Sequence, residues 1–357
     1  MSPVSQAYKL FSDPWKFYNA MLEDIEQAKE YIYIETYKFG SGNIGVRFRD
    51  VLTRKAREGL RIKLLLDSWG TSVSYSFFSE MIELGAEVRF FKKIKFFIDF
   101  FTKNHRRNHR KFMIIDDRIT YLGSANIAGH SLNWRESMLR IDGKLTETFK
   151  DVFLEDFRFY KRYVYKKPDF TRLIKRNGFE ILRDVPSITR QRIKRRYERL
   201  FKNATTKIHI ETPYFLPSYL LRKAMTDAAA RGVEVNILLP KHSDIGLVDV
   251  IRNRYLGNLY KGNIKIWYYI PHNLHSKLVL TDDRIFCIGS ANFDYRSFRY
   301  QHELMLLGTE PEIVNQVKQH IDTTLVNCEP FSYKDWKRRP FIQKCLEWIF
   351  MPFRYLL

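Results

Sequence analysis

Alternating apolar and polar positions predict two short strands, YIYIETYKF (31–39) and KIHIETPYF (207–215), each following a polar stretch with helical spacing. The same succession continues after both. AREGLRIKLLLDS (56–68) and AARGVEVNILLPK (229–241) each read as a helix end, a glycine stop and a buried strand. AEVRFF (86–91) and IKIWYY (264–269) add one more strand to each series. One pattern is therefore written twice in the same order, and its alternation of helix and strand predicts an α/β fold of two similar halves, each a mixed β-sheet flanked by helices. Residues 145–163 (LTETFKDVFLEDFRFYKRY) predict a long amphipathic helix, and KKPDFTRLIKRNG (166–178) the crossing between halves. The expected division is an N-terminal half at 1–170, a C-terminal half at 171–330 and a basic, aromatic segment at 331–357.

With 357 residues, 45% of them hydrophobic, the chain can bury a core larger than one average domain. Its net charge of +21 suits a polyanionic partner, either nucleic acid or anionic lipid. Cys287, Cys328 and Cys345 have neither the spacing of a disulfide framework nor that of a zinc site. The first residues lack the basic-then-apolar order of a secretory signal, and no run reaches the ~18 apolar residues of a membrane span. A cytoplasmic location with peripheral membrane contact is the expectation that follows.

The chemistry lies in NHRKFMIIDDRITYLGSANI (108–127) and LHSKLVLTDDRIFCIGSANF (274–293). Both satisfy H-x-K-x4-D-x6-G-S-x-N, through His109, Lys111, Asp116, Gly123, Ser124 and Asn126, then His275, Lys277, Asp282, Gly289, Ser290 and Asn292. At average residue frequencies the pattern arises by chance at ~10⁻⁸ per start position, and here it occurs twice in corresponding places. His and Lys two apart on a strand share a face, while the apolar residues after them are buried. The Gly-Ser-x-Asn turn offers hydroxyl, amide and backbone donors suited to phosphate oxygens. Asp116 and Asp282, each followed by Asp-Arg, fit a turn or structural ion pair as well as chemistry. His105, His130, His209, His242, His272, His302 and His320 fall outside the motifs and are not counted as catalytic.

This doubled motif resembles the signature of the phospholipase D superfamily over most of residues 25–325. Within it, RNHRKFMIID (107–116), NWRES (133–137), IETPYFLPS (210–218) and GSANFDYRSFRYQHEL (289–304) are most similar to bacterial cardiolipin synthases. The resemblance implies two phospholipase D-like halves about a pseudo-twofold axis, with the active site between them. It implies that one histidine forms a phosphohistidine while the other serves as acid and base, that Lys111 and Lys277 neutralise the phosphate with Ser124, Asn126, Ser290 and Asn292 completing the cradle, and that no metal cofactor is needed. Family precedent favours His109 as nucleophile and His275 as acid/base, while the two motifs themselves do not distinguish them. Glu136 and Glu303 stand where the family has a histidine-orienting glutamate.

The implied function is a membrane-associated phosphatidyltransferase acting on phosphatidylglycerol or a related phospholipid. The same site with water as acceptor would be a phospholipase D. A family nuclease is the other enzymatic alternative, and a non-catalytic lipid-binding scaffold is disfavoured by two intact motifs. Many family members carry N-terminal transmembrane helices that this sequence does not show, so attachment to an anionic membrane surface is expected through other segments. FFKKIKFFIDFFTK (90–103) and WKRRPFIQKCLEWIFMPFRYLL (336–357) interleave aromatic and aliphatic residues with cations, as interfacial segments do, although ordinary core helices share that composition. Their composition favours lipid over nucleic acid as partner. The basic run QRIKRRYERLFKN (191–203) reads as a solvated helix face.

Overall fold

The computed structural model describes residues 7–91, 106–161 and 173–356. Strands β1 (Ala7–Phe11), β2 (Tyr31–Thr36), β3 (Arg61–Asp67), β4 (Glu87–Phe91), β5 (Arg107–Asn108), β6 (Phe112–Ile115), β7 (Ile119–Gly123) and β8 (Met138–Asp142) come from the first half. All but β5 form one sheet, ordered β1-β8-β7-β6-β2-β3-β4. The second half contributes β9 (Ile174–Arg176), β10 (Phe179–Asp184), β11 (Lys207–Glu211), β12 (Glu234–Pro240), β13 (Ile264–Tyr269), β14 (Leu278–Thr281), β15 (Ile285–Gly289), β16 (Gln301–Gly308) and β17 (Cys328–Pro330). Its order is β17-β13-β12-β11-β14-β15-β16-β10-β9. Without the extra edge strands β9 and β17, this repeats the first sheet strand for strand, and β2-β3-β4 and β11-β12-β13 are both parallel.

The sheets are buried on both faces, which is why their strands read as nearly unbroken apolar runs. Outer faces are covered by α1 (Pro14–Glu26) and α2 (Asn43–Arg57) on one side, with the short α3 (Ser79–Glu83) beside them. Between the sheets lies α4 (Leu145–Phe159), the amphipathic helix expected at 145–163. On the second sheet's outer face lie α5 (Arg192–Asn203), α6 (Tyr219–Ala230) and α7 (Gly246–Lys261). The short α8 (Tyr295–Tyr300) precedes β16, and α9 (Pro311–Val326) joins α4 between the sheets. Phe149 and Phe153 of α4, Val317 and Ile321 of α9, Ile114 and Leu280 pack in a single central cluster. Alternation divides each motif strand between layers: Ile114 faces this cluster and Met113 the outer one. The halves thus share a core, and truncating Phe153 to Ala would cost about 3–5 kcal/mol.

The glycine stops fall as expected, with Gly59 and Gly232 at φ +89° and +90°. Basic α5 buries Ile193, Tyr197, Leu200 and Phe201 and leaves most of its cations half-buried or exposed, consistent with a solvated face. Of the interfacial candidate at 90–103, Phe90 and Phe91 are buried at the end of β4, and the remainder lies outside the described residues. The crossing at 166–178 is described only from residue 173, where β9 forms a hairpin with β10. The chain closes on α10 (Tyr333–Arg338) and α11 (Phe341–Phe350), which pack on α7. Among the described residues no helix is long and apolar enough to cross a membrane.

Candidate active site

The two motif histidines meet at one cavity of about 220 Å³, lined among others by Tyr37, Asn126, His109, His275, Asn292 and Arg296. Each is positioned by the opposite half. The backbone N–H of His109 donates to His302 O (3.0 Å), and that of His275 donates to Arg135 O (2.8 Å). The residue after each of those carbonyls is the glutamate that holds the ring. His109 Nδ1 lies 3.0 Å from Glu303 Oε1, while His275 Nδ1 lies 2.8 and 2.9 Å from the two oxygens of Glu136. This exchange is an approximate twofold relation expressed in single bonds. With Nδ1 engaged in each ring, Nε2 is the nitrogen left for a substrate.

Lys111 and Lys277 are almost fully buried, and each Nζ donates to the carbonyl of its own histidine at 2.7 Å. Burial drives both below the ordinary lysine range, Lys111 to about 7 with Lys277 adding repulsion, and Lys277 to about 8 against the pull of Glu136. Burial and the neighbouring Lys111 and Lys277 hold His109 well below the ordinary imidazole value. His275 is lowered by burial too, but the Glu136 carboxylate opposes that shift. The two glutamates diverge. Burial lifts Glu303 to about 7, whereas Glu136, despite its burial, is lowered by His275, Lys277 and Ser124.

Ser124 and Ser290 were expected in the phosphate cradle, and here they bond the glutamates. Both hydroxyls are buried and donate to the glutamates, Ser124 Oγ to Glu136 Oε2 and Ser290 Oγ to Glu303 Oε2. The preceding glycines explain how: a Cβ on Gly123 would sit 2.0 Å from Ser137 O, and one on Gly289 2.2 Å from Leu304 O. Only glycine lets the motif turn press against the strand that carries the glutamate. Asn126 and Asn292 do line the cavity.

Asp116 and Asp282 are absent from the cavity wall and serve turns instead. Each has positive φ (49° and 55°) and accepts from consecutive backbone N–H groups, of Lys29, Glu30 and Tyr31 for Asp116 and of Thr205, Thr206 and Lys207 for Asp282. They pin the motif strand to the start of its neighbour. Burial works against the Asp282 charge, yet those N–H donors bring its pKa below the ordinary carboxylate value.

Sequence reasoning passed over Tyr37, Lys38, Trp134, Tyr214, Asp244 and Arg296, which also line the cavity, and set aside His130, which stands at its rim. The ring of Tyr37 meets His109 edge-on at 5.1 Å, and Trp134 flanks His275 at 5.1 Å. Tyr214 donates to Asp244 Oδ1 at 2.9 Å. Lys38 and Tyr214 occupy matching places after the repeated Ile-Glu-Thr strands, so the repeat itself carried a signal for them.

A cavity lined by two imidazoles, each held by a glutamate, can bind a phosphodiester, attack it with one ring and protonate its leaving group with the other. Comparison with known proteins agrees in kind. The family described as "Cardiolipin synthase, PLD-like domain", where PLD is phospholipase D, matches residues 21–158 and 197–325. A cardiolipin synthase of Oceanobacillus iheyensis is 32% identical over 341 residues, 92% of this chain and 71% of that protein. Cardiolipin synthase 1 of Staphylococcus epidermidis is 32% identical over 95% of this chain and 71% of its own length. Phosphatidylserine synthase of Haemophilus influenzae superposes with a TM-score of 0.79 over 98% of this chain and 95% of that one, at 14% identity. Polyphosphate kinase of Porphyromonas gingivalis does so with 0.65, over 98% of this chain and 53% of that one, at 11% identity. At such identities the solved structures speak for the fold alone. With both halves matched by one family description, and with curated relatives aligned over nearly the whole chain, this protein belongs to the cardiolipin synthase family of phospholipase D-like proteins.

Proposed function

We propose that the protein is a phosphatidyltransferase that moves a phosphatidyl group from phosphatidylglycerol, or a related donor, to the hydroxyl of a second phospholipid at a membrane surface. The observation that carries the reading is the pair of histidines on one cavity, each held by the glutamate of the other half. In the first step Nε2 of His109 attacks phosphorus, the bond from phosphorus to the glycerol oxygen breaks, and that oxygen takes the proton of His275. In the second, the acceptor hydroxyl gives its proton to His275 as its oxygen attacks phosphorus, and the phosphorus–nitrogen bond breaks to restore His109.

Electrostatics supports this division of labour. His109 is surrounded by positive groups that favour its neutral, nucleophilic form, whereas Glu136 supports the imidazolium of His275 through both oxygens. Lys111, Lys277, Asn126 and Asn292 would offset charge on the non-bridging oxygens, with Glu136 and Glu303 orienting the rings and Ser124 and Ser290 steadying the glutamates. The proposed division into halves near residue 170, with 331–357 as a peripheral membrane segment, goes with this scheme.

The test is incubation with phosphatidylglycerol vesicles and mass spectrometry of the products, beside His109→Ala and His275→Ala proteins. Cardiolipin and free glycerol are expected from the wild type, none from His109→Ala and far less from His275→Ala. Phosphatidic acid alone would make it a phospholipase D, and cleavage of nucleic acid without lipid turnover would overturn the lipid reading.

A further inference from the structure

Helix α11 is inside out. Its single well-buried residue is Glu347, 1% exposed and held by Arg339 through two bonds of 2.6 and 2.8 Å. Its large apolar residues face solvent instead: Phe341, Ile342, Trp348 and Ile349 are 78%, 72%, 65% and 61% exposed, and Phe353 in the following turn is 49% exposed. An amphipathic helix of a globular protein turns its apolar stripe inward, as α5 does. Here the apolar residues of that outward face add nothing to the core, and it is Phe350 at the helix end that packs there.

The helix is also firmly mounted. Trp336 of α10 donates to Asn253 O at 2.7 Å, and its ring occupies the space left by Gly257, where a Cβ would come within 2.2 Å of it. Phe350 and Met351 pack against the core of the second half. On α10, directly before it in the chain, Lys334, Lys337 and Arg338 are exposed cations, with Asp335 the exposed acid among them. Aromatic and aliphatic side chains presented on a mounted helix, next in the chain to exposed cations and on a protein of net charge +21, match an anionic lipid surface in both apolarity and charge.

We infer that the outward face of α11 docks on an anionic bilayer, inserting Phe341, Ile342, Trp348 and Ile349 at the acyl boundary while the cations of α10 meet headgroups. The choice of a bilayer rests on the lipid-substrate reading above, but the docking itself does not require turnover.

The full chain, wild type and with Phe341→Ser, Ile342→Ser and Ile349→Ser combined, is sedimented with vesicles of phosphatidylglycerol and phosphatidylcholine or of phosphatidylcholine alone. Thermal unfolding checks that the variant folds. Wild type is expected to bind the anionic vesicles, with a blue shift of Trp348 fluorescence, and the triple variant to lose about tenfold or more in affinity. Lys334→Glu with Lys337→Glu should weaken binding and flatten its salt dependence. Turnover of dihexanoyl phosphatidylglycerol, dissolved as monomers, should be the same in wild type and triple variant. Absence of that turnover in wild type would remove the reaction reading and leave docking supported by the vesicle result. Undiminished vesicle binding by the folded triple variant would overturn docking. So would a wild-type dimer dissociated by the same substitutions, which would assign the face to a second copy of this chain.

Discussion

The two histidine–lysine motifs have the same spacing and different surroundings. In the first, the residue between His109 and Lys111 is Arg110, fully buried, paired with Asp156 of α4 and donating to Glu303 O (3.3 Å) and Asp184 O (3.2 Å). In the second it is Ser276, which donates to Glu211 (2.6 Å); Glu211 is bound by His320 (2.9 Å), whose other ring nitrogen meets Ser12 Oγ at 2.6 Å. Glu303 touches His109 with one oxygen and is lifted by burial, while Glu136 grips His275 with both and keeps its charge. A duplicated motif thus supplies two equal histidines, and residues outside the motif make them unequal. The approximate twofold places the groups, and on the proposed reading departures from it assign their roles.

The comparison breaks first at the histidines. His109→Ala should abolish turnover, and His275→Ala should lower it by about 10²–10⁴-fold while still permitting attack by His109, so that rapid-quench experiments find the first protein unmodified and the second carrying phosphatidyl.

Next come the glutamates. Glu136→Gln should cost about 10²-fold or more in kcat and move the alkaline limb of the pH–rate profile to lower pH. The sign follows from the carboxylate: its charge raises the His275 pKa, so removing it lets the acid lose its proton earlier as pH rises. Glu303→Gln should cost activity with less movement of that limb, since Glu303 bonds His109 and not the proposed acid His275.

Stability sharpens the contrast between the intervening residues. Arg110→Ala leaves Asp156 without its buried partner and should lose about 3–5 kcal/mol in denaturant unfolding, against about 1–3 kcal/mol for Ser276→Ala.

The smallest effect is expected at the turn. Asp282→Asn should lower stability by about 1 kcal/mol and leave kcat unchanged. Because folding depresses the Asp282 pKa, its contribution is present above the unfolded carboxylate value of ~4 and lost as pH falls below it; the variant should unfold with less acid sensitivity.

The fold was legible in the sequence because the repeat preserves strand order and pleat: Ile114 and Leu280 face the central cluster at the positions that alternation requires. The meeting of His109 with His275 was legible through the doubled motif. Their exchange of glutamates was not, since Glu303 lies 194 positions from His109 and Glu136 139 positions from His275, and only the packing of the halves brings each pair together. Ser124 and Ser290 were read as phosphate donors because hydroxyls suit phosphate; the close strand behind Gly123 and Gly289 turns them to the carboxylates instead. For α11, periodicity marks an amphipathic helix equally well whether the apolar face points inward or outward, and the buried Glu347–Arg339 pair decides it.

The unequal roles of the two histidines are tested most directly by quenching the wild-type protein in base during turnover of phosphatidylglycerol and mapping the phosphatidyl adduct by mass spectrometry. The account predicts it on the peptide containing His109; an adduct on the peptide containing His275 would contradict it.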